Sequence, residues 1–289
     1  MQNKNIKNAY ILDIFFDFID CSTYNNNMDL MNIIDGFSLF GLEIKFYGVI
    51  IAIGMLIGII IASHNTKYRN LKSDDIYILA LMVLPLSVIG ARVYYCIFDA
   101  KSFSFAEFFD IRSGGMAILG GVLGGALGVV LYCLIFKKNF FEVADVAAVS
   151  LVLGQGIGRI GCFFAGCCYG IKVTDPGLMW YPLSTQINGE WHLATFFYES
   201  FFDFVIFGVL QYLISKKNLQ KGTIMSIYLM SYGLVRCILE QFRDNAECLM
   251  LGPVRVSQLL SLIMILTGII LLVSFKLIPK WKQSKEQKQ

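Results

Sequence analysis

From Gly115 to Phe136 the chain runs 22 residues without a charge, and from Val256 to Phe275 it runs another 20. A bilayer core of roughly 30 Å is crossed by about 20 helical residues. A backbone in lipid has to satisfy its own hydrogen bonds, so such stretches can only be helices. Charged residues make up 16% of the 289-residue chain and the mean hydropathy is +0.64. Soluble domains carry about 25% charge. The sequence is that of an all-α, polytopic membrane protein, with too little polar surface for a water-soluble globule.

Seven apolar segments are expected, near residues 46–65, 76–98, 115–136, 143–166, 194–215, 222–241 and 256–275. The basic residues test the count. Those following the first, third, fifth and seventh segments number 13, among them Arg69, Lys137, Lys138, Lys221 and Lys276. The opposite connections and the N-terminal segment hold 8, including Lys45, Lys172 and Arg243. Basic residues stay on the cytoplasmic side, which predicts an N-terminus outside and a C-terminus in the cytoplasm. Residues 1–45 are then an external, Asn-rich segment with apolar patches such as FSLFGLEI. Residues 46–275 are the membrane domain, and residues 276–289 a basic cytoplasmic tail, read as disordered beyond Ile278. Residues 8–20 carry Asp13, Asp17 and Asp20 where the apolar core of a cleavable signal would lie, so none is expected. Neither a second domain nor a solenoid repeat is visible.

The fourth segment ends in GQGIGRIGCFFAGCCYG, Gly154 to Gly170. Gly156, Gly158 and Gly161 match G-x-G-x-x-G, but the stretch before them reads as membrane helix rather than strand, so a dinucleotide loop is excluded. Cys162, Cys167 and Cys168 lack the C-x2-C spacing that recurs in zinc sites, and His64 and His192 are the chain's only histidines. No metal or other cofactor is expected on that reading, and a disulfide within the cluster stays open. Gly120, Gly124 and Gly128, with Gly121 and Gly125 beside them, recur at four-residue steps. Small residues so spaced let membrane helices approach closely.

The buried charges are harder to dismiss. An arginine at the middle of a membrane helix costs roughly 2.5–3.5 kcal/mol on insertion scales, so it faces a cavity or a partner. Arg159 lies in the fourth segment. In the sixth, Tyr232, Arg236 and Glu240 fall within about 80° of arc on a helix of 3.6 residues per turn. The fifth adds Tyr198, Glu199 and Asp203. Two guanidinium forks within the outer half of a membrane suit an anionic headgroup, because the fork matches phosphate geometry. These residues predict a cavity that grips a phospholipid phosphate.

Five motifs in order resemble those of the bacterial prolipoprotein diacylglyceryl transferase family. They are Ile44-Lys-Phe-Tyr47-Gly48, Gly114-Gly115-Met-x-x-x-Gly120-Gly121, Gly158-Arg159-Ile-Gly161-x-Phe163 with Gly166 and Gly170, His192 ahead of Tyr198-Glu199, and Tyr232-Gly-x-x-Arg236-x-x-x-Glu240. The similarity runs from about residue 36 to 275. It implies an enzyme of the bacterial cytoplasmic membrane that moves the diacylglyceryl group of phosphatidylglycerol to the lipobox cysteine of a preprolipoprotein. Under it Arg159, Arg236, Glu240 and Tyr232 are the catalytic candidates. Tyr47, Gly120, Gly121, Gly158, Gly161, Gly170, His192 and Glu199 join both arginines as lipid-binding candidates. The family signature reads G-R-x-G-N-F-x-N-G-E-x-x-G; here Cys162, Ala165 and Cys167 replace its Asn, Asn and Glu. Leu119 stands where the family has a histidine. Those departures keep two other readings in view: a paralogue with another lipid donor or acceptor, and a non-catalytic phospholipid-binding membrane protein.

Overall fold

A computed structural model of the chain describes residues 36–39, 42–98, 117–187, 189–216, 219–243, 250–251 and 254–286. Seven long helices carry the fold: α1 (Phe46–Asn65), α2 (Ser73–Phe98), α3 (Ile118–Ile135), α4 (Phe140–Ala165), α5 (Thr195–Ile214), α6 (Thr223–Leu239) and α7 (Val256–Glu286). Each coincides with one apolar segment of the sequence. Six are long and apolar enough to cross a membrane, and α3 is a shorter apolar helix. The N-terminal segment, expected to be external, and residues 115–116 fall mostly outside the described residues. What is described before α1 is a hairpin, β1 (Gly36–Leu39) paired with β2 (Leu42–Lys45). A second hairpin, β3 (Ser184–Ile187) with β4 (Glu190–Leu193), lies between α4 and α5. A third pairs β5 (Met250–Leu251) with β6 (Val254–Arg255) before α7. The tail departs from expectation: α7 continues to Glu286, past the apolar segment. Its Lys, Gln and Glu residues are good helix formers, so losing hydrophobicity does not end the helix.

Helix α4 is the axis of the bundle. It packs against α1 on one side and α5 and α6 on the other, while α2 pairs with α3 and α6 with α7. Val146, Ala148, Val149 and Val152 of α4 are fully enclosed, with Leu210 and Ile214 of α5, Ile224 of α6 and Tyr132 of α3 around them. Outward-facing positions are large and apolar instead: Leu81 is 75% exposed, Leu134 69% and Ile60 65%. In water such a surface would aggregate; a lipid environment removes the penalty.

The glycine series of the third segment has the packing role its spacing predicts. A Cβ on Gly124 would lie 2.2 Å from the Leu86 carbonyl oxygen of α2, and one on Gly120 would lie 2.3 Å from that of Gly90. Ser87 Oγ donates to the Gly121 carbonyl across the same crossing at 2.7 Å.

At the end of the bundle where α4 and α6 begin, each buried charge among the described residues has a partner. Asp145, fully enclosed, accepts from Arg69 Nε at 3.1 Å and Nη2 at 2.9 Å. It also accepts the backbone N–H groups of Gly222 and Met225, each at 2.9 Å. A carboxylate here meets the positive end of the α6 dipole as well as a cation. Asp75 accepts from Lys138 at 2.7 Å and Tyr132 at 2.9 Å. Lys221 reaches Glu142 at 2.7 Å. Asn65 and Gln211 exchange two amide hydrogen bonds of 2.9 Å between α1 and α5.

Candidate active site

The opposite end holds a different constellation. Arg159 lies six residues before the end of α4, Glu199 in the first turns of α5, and Arg236 in the last turn of α6. All three reach the same place because α4 and α6 end where α5 begins. Arg159 Nε stands 2.6 Å from one oxygen of Glu199, and Arg236 Nη1 donates to the other at 2.5 Å. The first contact lies off the line of a hydrogen bond, so that oxygen is held by charge. The two guanidiniums, on different helices, thus converge on opposite oxygens of one buried carboxylate.

Glu240, one turn beyond Arg236, stands 3.2 Å from Arg236 Nη2 and 3.8 Å from Arg243 Nη1. Ser257 of α7 donates to its other oxygen. Glu240 therefore holds Arg236 in place, as the four-residue spacing predicts. Tyr232 stacks on Tyr228 with ring centroids 5.7 Å apart, in the field of Arg159, Arg236, Glu199 and Asp203. Asp203, one turn along α5 from Glu199, is 1% exposed, and neither of its oxygens has a hydrogen-bond partner among the described residues. Nη2 of Arg159 also has no partner among the described residues, and a Cβ on neighbouring Gly158 would meet nothing within 4 Å. An accessible N–H group on a largely buried guanidinium is where a ligand can approach.

The glycine-rich segment builds the wall of this site. Gly166 ends α4 in the left-handed region (φ 62°), a conformation glycine adopts without strain. Cys168 repeats it at φ 62°, where a side chain is disfavoured. The double reversal turns Cys167 and Cys168 back toward Cys162, and the three Sγ atoms lie within 4.8 Å of one another. All three are free thiols. Arg243 Nη2 donates to Cys168 Sγ at 3.0 Å and Arg159 Nη1 at 3.4 Å. Hydrogen bonds from the Cys162 and Cys167 thiols, then the two guanidinium charges, hold the Cys168 thiol well below its ordinary range. Tyr47 closes the side: its ring lies over Gly161, where a Cβ would come within 3.1 Å of it.

Gly170 brings Arg243 to this wall. It is clamped between Leu193, whose carbonyl accepts its N–H at 2.8 Å, and Phe242, whose carbonyl accepts from Ile171 at 2.9 Å. A Cβ on Gly170 would fall 2.5 Å from that Phe242 oxygen, so only glycine fits.

Other sequence candidates are placed elsewhere. Nδ1 of His192 lies 3.0 Å from the Gly170 carbonyl oxygen and its ring meets Tyr169 edge-on; no contact joins it to Arg159, Glu199 or Arg236 among the described residues. Gly120 and Gly121 lie in the α2–α3 crossing, so they reach a lipid only through the helix they position. Sequence reasoning missed Arg243 and the convergence of the thiols, and it noted Asp203 without assigning it a place.

The family model for prolipoprotein diacylglyceryl transferase matches residues 35–274. A phosphatidylglycerol–prolipoprotein diacylglyceryl transferase of Clostridium botulinum (strain Loch Maree / Type A3) is 39% identical over 245 residues, covering 83% of this chain and 94% of the relative. The Clostridium perfringens (strain 13 / Type A) protein named phosphatidylglycerol–prolipoprotein diacylglyceryl transferase 1 is 38% identical over 243 residues, 82% of this chain and 92% of its own. A Clostridium kluyveri relative bearing the transferase name is 37% identical, over 83% of this chain and 93% of the relative.

Proposed function

This chain belongs to the prolipoprotein diacylglyceryl transferase family, and from that we infer that it is a multi-pass membrane enzyme transferring the diacylglyceryl group of phosphatidylglycerol to a prolipoprotein. We place it in a bacterial cytoplasmic membrane and assign the lipobox cysteine thiol as acceptor. A thiolate attacks the glyceryl carbon, a carbon–sulfur bond forms, and the carbon–oxygen bond breaks with its electron pair going to phosphate. Glycerol phosphate leaves with one more negative charge than the diester carried.

That growing charge is what the site can meet. The observation that carries the reading is the sharing of Glu199 by Arg159 and Arg236: their forks face one point, and a phosphodiester presents a similar pair of anionic oxygens. The diester enters beside Gly158 onto the accessible Nη2 of Arg159, with Tyr47 and Tyr232 flanking it. Preorganised cations aimed at developing charge act most strongly where water is excluded. Glu199 and Glu240 are positioning residues that keep both guanidiniums aimed.

The test is an assay in vesicles of phosphatidylglycerol with a lipobox peptide. A thioether-linked diacylglyceryl peptide and an equal amount of glycerol phosphate are expected. No thioether under conditions where another member of the family works would overturn the reading; retained phosphatidylglycerol binding would then favour a non-catalytic lipid-binding role.

A further inference from the structure

We propose that Cys162, Cys167 and Cys168 form a tripodal zinc site whose open fourth position binds the acceptor thiol as thiolate, an inference that rests on the transferase reading above. Three sulfurs converge where a disulfide would need two. In tetrahedral zinc sites with Zn–S near 2.3 Å, sulfurs stand about 3.8 Å apart. The three here lie within 4.8 Å, so sub-ångström side-chain movement closes the tripod.

The surroundings suit a metal thiolate. Cys162 is buried in an apolar cluster with Phe163, Ala194 and Phe196, and Cys167 and Cys168 pack against that cluster together with Phe164, Tyr181 and Phe197. Guanidinium N–H groups of Arg159 and Arg243 point at Cys168 Sγ. One divalent cation with three thiolates carries a net negative charge, which those donors balance, and hydrogen bonds to a ligand sulfur orient and tune such centres. The left-handed Cys168 holds an unfavourable backbone conformation that the convergence requires; strain of this kind collects at functional sites.

Placement gives the metal its task. Arg159 touches both the tripod and Glu199, so a phosphodiester held on Arg159 lies within one side chain of the thiols. The acceptor must lose a proton, and neither histidine serves: His64 pairs with Lys67 at the other end of α1, and His192 is engaged at Gly170. A zinc-bound thiol is deprotonated outright. The tripod thiols lose their protons to solvent on binding zinc, and the acceptor loses its own on joining. Its sulfur then attacks the glyceryl carbon, glycerol phosphate leaves with the C–O electron pair, and the neutral thioether, a far weaker ligand, departs.

The experiment uses the full chain purified in detergent without chelators, then stripped. About one zinc per chain is expected as isolated, falling at least about tenfold in Cys167→Ser and Cys168→Ser. Cadmium titrated into stripped protein should give a sulfur-to-metal charge-transfer band saturating at one equivalent, a readout independent of activity. Stripping should lower lipid transfer at least about tenfold, with recovery on adding zinc and unchanged binding of phosphatidylglycerol vesicles. No cadmium band, or a disulfide among the three cysteines in active protein, would overturn the site. A saturating band with full transfer by stripped protein would overturn the thiol-activating role. Absence of transfer in zinc-loaded protein whose stripped form gives the cadmium band would count against the transferase reading instead.

Discussion

The two ends of the bundle both bury charge, and they do it in opposite ways. At the Asp145 end each carboxylate has a cation and further donors, and Asp145 joins α4, the loop after α1 and the start of α6 through four hydrogen bonds. At the Glu199 end two arginines compete for one carboxylate, a third shares Glu240, and Asp203 has no donor among the described residues. A charge network that is complete within the chain stabilises the fold; one left incomplete is a receptor for something else. Buried ion pairs by themselves are weak evidence for either role. Their donors and acceptors tell the two roles apart: matched at the Asp145 end, unmatched at the Glu199 end.

The largest expected effect breaks the complete end. Asp145→Ala leaves Arg69 buried without its partner and uncaps α6, and should lower stability by about 3–5 kcal/mol. Thermal unfolding in detergent measures it, and an unchanged midpoint would erase the contrast. Next comes the incomplete end, where Arg159→Ala or Arg236→Lys should reduce transfer about 10²–10³-fold, the usual loss on removing one preorganised donor. The unfolding midpoint should move little; full activity in either variant would refute the clamp. Asp203→Asn sharpens the comparison: because no donor is lost, its midpoint should hold or rise, where Asp145→Asn falls. Smallest is the Asn65–Gln211 amide pair, whose double-mutant cycle should give a coupling of about 0.6 kcal/mol, typical of polar contacts between membrane helices.

Much of the fold was legible because lipid leaves few choices. Uncharged runs had to be helices, and the glycines at four-residue steps had to be a crossing, as Gly124 against Leu86 now shows. The Arg236–Glu240 contact followed from helical periodicity alone. What depended on chain reversal could not be read. The spacing of Cys162, Cys167 and Cys168 resembles no common metal motif because a helix end and two left-handed residues bring them together, and a left-handed cysteine leaves no mark in sequence. Arg243 reads as a surface cation in sequence; the backbone bond from Ile171 to Phe242 and its bridge to Gly170 tie it to the wall. The basic tail is the converse case: polar composition predicts loss of order, while helix propensity keeps α7 going to Glu286.

The crossing of α2 and α3 also bears on how such a chain is made. Gly120, Gly124 and Gly128 make their tightest contacts with α2 alone, so both members of that hairpin leave the ribosome before any later segment is needed. The first helix has no such neighbour; its main counterpart, α4, begins only at Phe140. During synthesis the first helix has to wait in lipid, with Asn65 lacking Gln211, until the later helices arrive to claim it.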